Sequence, residues 1–243
     1  MDIENKVALV TGGARRVGRE IAVHLAKLGA HVALNYKTSH EQAQQVAREI
    51  SGLGRDALTI KADVSNAQDV EAMITTAIGH FGRLDVLINN AAIFYKTDFF
   101  ELSENDWDAF IKTNLKGPFL CSRKAAKHLL SHGAGKIINI ADVGGVRAWK
   151  SYIPYCVSKA GLIMLTKGMA KAMAPDVQVN AVAPGPVMFP EDYTADEKNA
   201  VIEETVLKRP GSPADVAKAV QFLIESDYIT GEVLFVDGGG MII

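Results

Sequence analysis

Short apolar runs rich in valine and isoleucine alternate with longer segments of helical period along the whole chain. Such continuously apolar runs predict buried strands of a parallel sheet that is covered on both faces. There are seven of them, at residues 7–10, 32–34, 58–60, 86–88, 137–140, 177–179 and 233–236. Amphipathic segments between them, such as 17–28 before Gly29, predict helices. This rhythm predicts an α/β fold, a Rossmann-type doubly wound parallel sheet with helices on both faces.

No linker, charge block or internal repeat interrupts the rhythm, so residues 1–243 are predicted to form a single domain. We assign the cofactor half to residues 1–135 and the catalytic and substrate half to residues 136–243. The least regular segment, 185–198, follows the sixth run at the carboxyl edge of the sheet, where such folds bind ligands. It fits a lid over the substrate and an ordinary surface loop equally well.

The composition of the chain narrows the possible classes of protein. Of 243 residues, 48% are hydrophobic and 22% are charged, and the formal net charge is -2. Without a basic excess, nucleic-acid binding is disfavoured. No apolar run approaches the roughly 18 residues that cross a bilayer, and the polar start resembles no signal peptide. With only two cysteines we expect a cytoplasmic protein, and the dispersed histidines predict no metal site.

A glycine-rich turn, Thr11-Gly12-Gly13-Ala14-Arg15-Arg16-Val17-Gly18, joins the first strand run to a helix. Glycines there let backbone N–H groups approach a pyrophosphate, which the positive end of the helix favours. Arg16 takes the place of the second glycine of the pattern TGxxxGxG. The second strand ends in Asn35-Tyr36-Lys37-Thr38-Ser39, without the acid that NAD-preferring enzymes place there. Arg16 and Lys37, together with the missing acid, predict binding of a 2′-phosphate and hence of NADPH rather than NADH. The alternative is that both cations are ordinary surface charges.

Two further strand ends are predicted to contact the cofactor. Asp63 is placed either to accept a hydrogen bond from the adenine amino group or to cap the next helix. After the fourth strand run, Asn89-Asn90-Ala91-Ala92 offers small side chains that let the chain pass close to a flat cofactor.

Tyr155 and Lys159 are four residues apart, which on a helix places both side chains on one face. A phenol with an ordinary pKa of about 10 is a poor acid or base at neutral pH. A neighbouring ammonium is therefore expected to lower the pKa of Tyr155, so that its proton can move both ways near the working pH.

Together these motifs resemble the short-chain dehydrogenase/reductase superfamily in order and spacing, over the whole chain. The resemblance rests on Thr11-Gly12, Asn89-Asn90-Ala91, Asn114, Tyr155 with Lys159, Pro184-Gly185 and Val236-Asp237-Gly238-Gly239. It implies that Tyr155 is the proton donor, that Lys159 is its partner and a ribose ligand, and that Asn114 holds a proton-relay water. The predicted cofactor-binding residues are then Gly12, Arg15, Arg16, Val17, Tyr36, Lys37, Thr38, Ser39, Asp63, Val64, Asn90, Ala91, Ala92, Tyr155, Lys159, Pro184, Gly185 and Val187.

One departure from the superfamily pattern narrows the substrate. Asp142 stands thirteen residues before Tyr155, where the superfamily usually has a serine. A carboxylate would repel the oxyanion of a reduced ketone, and suits a substrate with N–H donors or a C=N bond. Asp142, the arginine in the glycine turn (Arg16) and Phe94 together make the chain resemble pteridine reductases. This resemblance implies that Phe94 stacks on a pterin ring. The predicted substrate-binding residues are Arg16, Phe94, Asp142, Tyr155 and Pro186. Asp142 as a plain turn cap and Phe94 as a core or lid aromatic are the structural alternatives.

The sequence thus predicts an NADPH-dependent pteridine reductase that converts a dihydropterin or dihydrofolate to the tetrahydro form. The alternative is a 3-oxoacyl-carrier-protein reductase or another ketone reductase, with Arg123, Lys124 and Lys127 as a basic dock or simply a solvated helix face. A non-catalytic NADPH-sensing module is a third possibility. The superfamily is usually tetrameric, and helical segments 112–130 and 151–173 are compatible with burial in a homotetramer.

Overall fold

The computed structural model describes residues 1–242, which contain one parallel sheet of seven strands in the order β3-β2-β1-β4-β5-β6-β7. The strands are β1 (Val7–Val10), β2 (His31–Tyr36), β3 (Ala57–Lys61), β4 (Val86–Asn89), β5 (Gly135–Ile140), β6 (Val177–Pro184) and β7 (Val233–Val236). The predicted seven-stranded, doubly wound sheet is confirmed. Strand order reverses between β1 and β4, which opens a crevice at their carboxyl ends.

Among residues 1–242, eight α-helices connect the strands. They are α1 (Arg16–Lys27), α2 (His40–Gly52), α3 (Ala67–Phe81), α4 (Glu104–Ile111), α5 (Gly117–Ser131), α6 (Ile153–Met173), α7 (Ala195–Glu203) and α8 (Pro213–Glu225). A π-helical turn over Lys112–Lys116 joins α4 to α5, so the two helices form one nearly continuous rod.

The sheet has an apolar core on each face. On β1, Ala8 and Val10 point into the core that packs α1 and α8, whereas Val7 and Leu9 point into the core that packs α3 and α5. This alternation follows from the two-residue period of a strand, and both sets are buried because helices cover both faces. A strand covered in this way is apolar throughout, which is the pattern that marked it in the sequence.

The irregular segment after β6 is shorter than the sequence suggested. Strand β6 runs to Pro184, and α7 begins at Ala195, where Thr194 and Glu197 form a capping box. Within residues 1–242, no helix is both long and apolar enough to cross a bilayer. The same part of the chain holds no group of three or more His, Cys, Asp and Glu side chains arranged to bind a metal ion.

Candidate active site

A cavity of about 980 Å³ opens at the carboxyl edge of the sheet, beside the crevice between β1 and β4. Its volume lies near the upper end of the usual range for small-molecule sites. Every residue predicted to bind cofactor or substrate lines this cavity, as do Asp142, Tyr155 and Lys159. Asn114 is the one predicted site residue that does not.

The glycine-rich turn is fastened to the end of β4. The side-chain nitrogen Nδ2 of Asn90 donates to the carbonyls of Thr11 (2.9 Å) and Gly12 (3.2 Å). Thr11 Oγ1 accepts from the backbone N–H of Ala91 at 3.1 Å. Gly12 has φ +62°, and a Cβ there would lie 3.0 Å from the Cα of Ala91. Both the conformation and the close approach therefore require glycine.

Arg16 adopts φ +54°, in the left-handed region that glycine favours, at the position where the pattern TGxxxGxG has a glycine. An ordinary residue in this conformation costs about 1–2 kcal/mol. Its guanidinium Nη2 donates to the carbonyl of Phe189 at 3.4 Å, in the segment after β6. Arg16 thus spans from the cofactor turn to the substrate side of the cavity.

Lys37 and Asp63 form an ion pair of 2.6 Å at the cofactor end of the cavity. Partial burial raises the pKa of Asp63, but hydrogen bonds from Lys37 and Ser65 outweigh it and hold the pKa below its usual value. Helix capping, one of the two roles considered for Asp63, is wrong, because Asn66 caps α3 and Asp63 accepts from the N–H and hydroxyl of Ser65. Contact with adenine stays a prediction.

These features fit the phosphates of a dinucleotide. The absence of a side chain at Gly12 leaves the backbone N–H groups of the turn accessible to a phosphate. The first turn of α1 contributes the positive end of the helix dipole. Arg15, Arg16 and Lys37 surround the same end of the cavity. The cradle is therefore suited to an anionic ligand that carries more than one phosphate group.

Asp142 and Tyr155 meet at the other end of the cavity. The Tyr155 hydroxyl donates to Asp142 Oδ2 at 2.8 Å, and Asp142 Oδ1 accepts from the N–H of Gly144 at 2.7 Å. Asp142 therefore caps the turn after β5 and contacts Tyr155 at the same time. Burial raises the pKa of the Asp142 carboxyl above its usual value, although Gly144, Lys159 and Tyr155 oppose this shift.

The expectation that Lys159 lowers the pKa of Tyr155 is wrong for the protein alone. Lys159 Nζ donates to the Ile140 carbonyl at 2.6 Å and lies 5.7 Å from the centre of the Tyr155 ring. Burial, followed by the charge and the hydrogen bond of Asp142, raises the pKa of Tyr155 well above 10. Burial lowers the pKa of Lys159 to about 8, against the opposing charge of Asp142. Tyr155 is consequently held as a protonated phenol.

Asn114 lies behind the cavity wall, in the π-helical turn. Its Oδ1 accepts from the N–H of Ile93 at 2.9 Å, and its Nδ2 donates to the Ile93 carbonyl at 3.0 Å and to Ser158 Oγ at 3.2 Å. The side chain of Asn114 ties the loop after β4 to α6, and its implied role in holding a relay water stays a prediction. Asn114 thereby positions the backbone next to Phe94.

Aromatic rings line the part of the cavity beside Tyr155. Phe94 stacks on Tyr152 with centroids 4.6 Å apart and planes 8° apart, and it meets the Tyr155 ring edge-on at 4.7 Å. Phe94 remains 41% exposed, so it is a wall of the cavity and not a core residue.

The lining residues that were not predicted from the sequence include four aromatic ones, Trp149, Tyr152, Phe189 and Tyr193. The position of Tyr152 three residues before Tyr155, less than one helical turn, was a usable signal for it. Trp149 and Tyr193 lie in irregular segments, which carry no periodic signal.

A doubly wound sheet with a phosphate cradle at its switch point and a tyrosine–lysine pair at its carboxyl edge defines a dinucleotide-dependent oxidoreductase. The family model described as enoyl-(acyl carrier protein) reductase matches residues 12–240. The 3-oxoacyl-[acyl-carrier-protein] reductase FabG of Staphylococcus aureus is 42% identical over 239 residues, 96% of this chain and 97% of that protein. The chain belongs to the short-chain dehydrogenase/reductase superfamily.

Two further comparisons agree with this assignment. The 3-oxoacyl-[acyl-carrier-protein] reductase of Synechocystis sp. is 39% identical over 239 residues, which cover 96% of each chain. The crystal structure of a short chain dehydrogenase from Burkholderia cenocepacia in complex with NADP superposes with a TM-score of 0.93. The two chains are 35% identical, over 99% of this chain and 100% of that one.

Proposed function

We propose that this chain is an NADPH-dependent reductase. Arg16 and Lys37 line the cavity, and residues 37–40, directly after β2, include no acidic residue. The Burkholderia relative, in complex with NADP, supports the same cofactor. NADPH, when bound, supplies the hydride, while the chain's own residues hold the substrate and deliver the proton.

We further propose that the substrate is a nitrogen heterocycle of the dihydropterin type, reduced at a C=N bond. The observation that carries this proposal is the Asp142 carboxyl 2.8 Å from the Tyr155 hydroxyl. A ketone becomes an alkoxide as it accepts hydride, and a carboxylate beside it opposes that charge. A C=N nitrogen also gains one proton with the hydride, but it is far more basic than a ketone oxygen, so the proton is transferred earlier and less negative charge develops beside the carboxylate. The N–H that forms can donate a hydrogen bond to Asp142.

The roles of the side chains follow from their contacts. Tyr155 keeps its proton until the substrate nitrogen becomes basic, and then donates it directly or through water. Asp142 stays fixed because the N–H of Gly144 holds its other oxygen. Phe94 offers an exposed ring face that suits a planar heteroaromatic substrate. Lys159 keeps a positive charge near the phenolate that Tyr155 becomes.

The second candidate is the reduction of a 3-oxoacyl group on acyl carrier protein. The sequence relatives favour it, because the Staphylococcus and Synechocystis proteins carry that name. The basic dock that this function would use consists of Arg123, Lys124 and Lys127, and two of these side chains already interact with other residues of the chain. Lys124 is paired with Glu71 at 2.6 Å, and the Arg123 guanidinium lies 5.3 Å from the centre of the Phe119 ring.

A substrate panel separates the two candidates. NADPH oxidation is followed with 7,8-dihydrobiopterin and with acetoacetyl-CoA, under identical conditions, and NADH is tested in parallel. We expect kcat/KM for the dihydropterin to exceed that for the thioester by at least about tenfold. A higher kcat/KM for acetoacetyl-CoA would overturn the pterin assignment and support the second candidate.

We also propose a homotetramer, with a cytoplasmic location. Exposed apolar side chains on α5 and α6 support burial against further copies: Phe119, Leu130, Val157 and Met164. Light scattering after size exclusion should give a mass near four times 26.1 kDa. A mass of one chain would contradict this assembly.

A further inference from the structure

Two segments that are far apart in the sequence, the loop after β4 and the segment that leads into α7, are joined beside the cavity. Lys96, in the loop after β4, donates from Nζ to Glu197 Oε1 in α7 at 2.9 Å. The same ammonium lies 4.8 Å from the centre of the Tyr193 ring. The Tyr193 hydroxyl is 2.9 Å from the hydroxyl of Tyr152, at the start of α6. We call Lys96, Tyr193 and Glu197 the bridge.

The bridge adjoins both members of the stacked pair, Phe94 and Tyr152, that lies beside Tyr155. Tyr193 bonds to Tyr152, on which Phe94 stacks, and Lys96 lies two residues after Phe94 in the same loop. Burial and the neighbouring Tyr193 hydroxyl raise the pKa of Tyr152 well above its usual value, so Tyr152 keeps its proton and the bond joins two hydroxyls. The bridge is therefore connected through Tyr152 to the Phe94 ring that faces the cavity.

Apart from the bridge, the Arg16 guanidinium holds the segment before α7 by donating to the Phe189 carbonyl at 3.4 Å. Helix α7 has no buried residue, and the Lys96 and Glu197 side chains are themselves 45% and 41% exposed. Exposed ion pairs contribute little to global stability. For a segment with so few packed contacts, however, such a pair and a hydroxyl bond are a large share of what fixes its position.

We propose that Tyr193 is a positioning residue for the substrate: with Lys96 it draws the segment before α7 across the open end of the cavity and fixes the Tyr152–Phe94 stack. Neither Tyr193 nor Lys96 is expected to take part in hydride or proton transfer. The proposal requires only that the chain is a reductase and is independent of which of the two substrates is correct.

Two minimal variants test this proposal. Tyr193→Phe removes one hydroxyl, and Lys96→Met removes the ammonium at nearly constant length. The substrate used is the one that the wild type reduces better. In each variant we expect its KM to rise about fivefold, which corresponds to the loss of one hydrogen bond. The kcat and KM for NADPH should stay within about twofold, and Lys96→Arg should restore the substrate KM.

Arg19→Met is the matched control, because it removes an ion pair of similar exposure with Glu49 away from the cavity. It should change none of these constants. An unchanged substrate KM in both bridge variants would overturn the proposal, as would an equal rise in KM for NADPH.

Amide hydrogen exchange of the NADPH-loaded enzyme provides a readout that needs no turnover. Residues 190–199 should exchange faster in Tyr193→Phe than in the wild type, while β5 is unchanged. Equal exchange in the two proteins would contradict the bridge. Because this comparison uses no substrate, its result is independent of the substrate panel that tests the proposed function.

Discussion

Asp142 and Tyr155, thirteen residues apart in the sequence, share a hydrogen bond of 2.8 Å inside the cavity. Asp142 lies two residues after the end of β5 and caps the turn that follows, and Tyr155 lies in the first turn of α6. In this environment the pKa values of both groups are raised, so the tyrosine keeps its proton. A serine at position 142 would place a hydroxyl there in exchange for a carboxyl group.

Tyr155→Phe removes the proposed proton donor and keeps the ring. We expect kcat to fall about 100-fold or more, the usual contribution of a positioned general acid. The measurement is the steady-state rate of NADPH oxidation with the better substrate, and Tyr228→Phe, which alters a fully exposed ring, is the control. Near-normal turnover of Tyr155→Phe would show that another group donates the proton.

Arg16→Gly separates cofactor binding from stability. We expect KM for NADPH to rise about tenfold and KM for NADH to change little, because the variant loses a cation that we propose contacts the 2′-phosphate. The free energy of unfolding should stay the same or rise by about 1 kcal/mol, since glycine relieves the left-handed backbone at this position. Steady-state kinetics with NADPH and NADH test the expectation for cofactor binding, and urea unfolding tests the expectation for stability. An equal rise in KM for NADH would contradict the role of Arg16 at the 2′-phosphate.

The pH dependence of kcat/KM for NADPH reports groups of the free enzyme. Burial lowers the pKa of Lys159 to about 8, so its ammonium is lost as the pH rises through that value. We therefore expect kcat/KM to fall above about pH 8. The charge of Asp142 raises the pKa of Lys159, so Asp142→Asn should move this fall to lower pH. A fall that stays in place or moves to higher pH would show that Lys159 is not the titrating group.

Much of the fold was predictable because both faces of every central strand are buried. The apolar runs gave the seven strands, and only their ends differ, as where β6 continues to Pro184. The cofactor half of the site was predictable because glycine turns and strand ends have fixed positions in a doubly wound sheet. Tyr155 and Lys159 were predictable because a helix fixes their spacing.

Long-range contacts were not predictable from local pattern. Lys159 bonds to the carbonyl of Ile140, in another element, and so acts on Tyr155 differently from its expected role. The side chain of Asn114 is engaged by Ile93 across a loop. Tyr193 lies in an irregular segment whose position depends on Lys96 and Tyr152.

The most direct test of the account is substrate preference in Asp142→Ser. The quantity is kcat/KM for 7,8-dihydrobiopterin divided by kcat/KM for acetoacetyl-CoA, in the variant and in the wild type. If the Asp142 carboxyl selects nitrogen heterocycles, the serine variant should lower this ratio by about tenfold or more, partly through faster reduction of the ketone. A ratio equal to that of the wild type would mean that Asp142 does not choose the substrate.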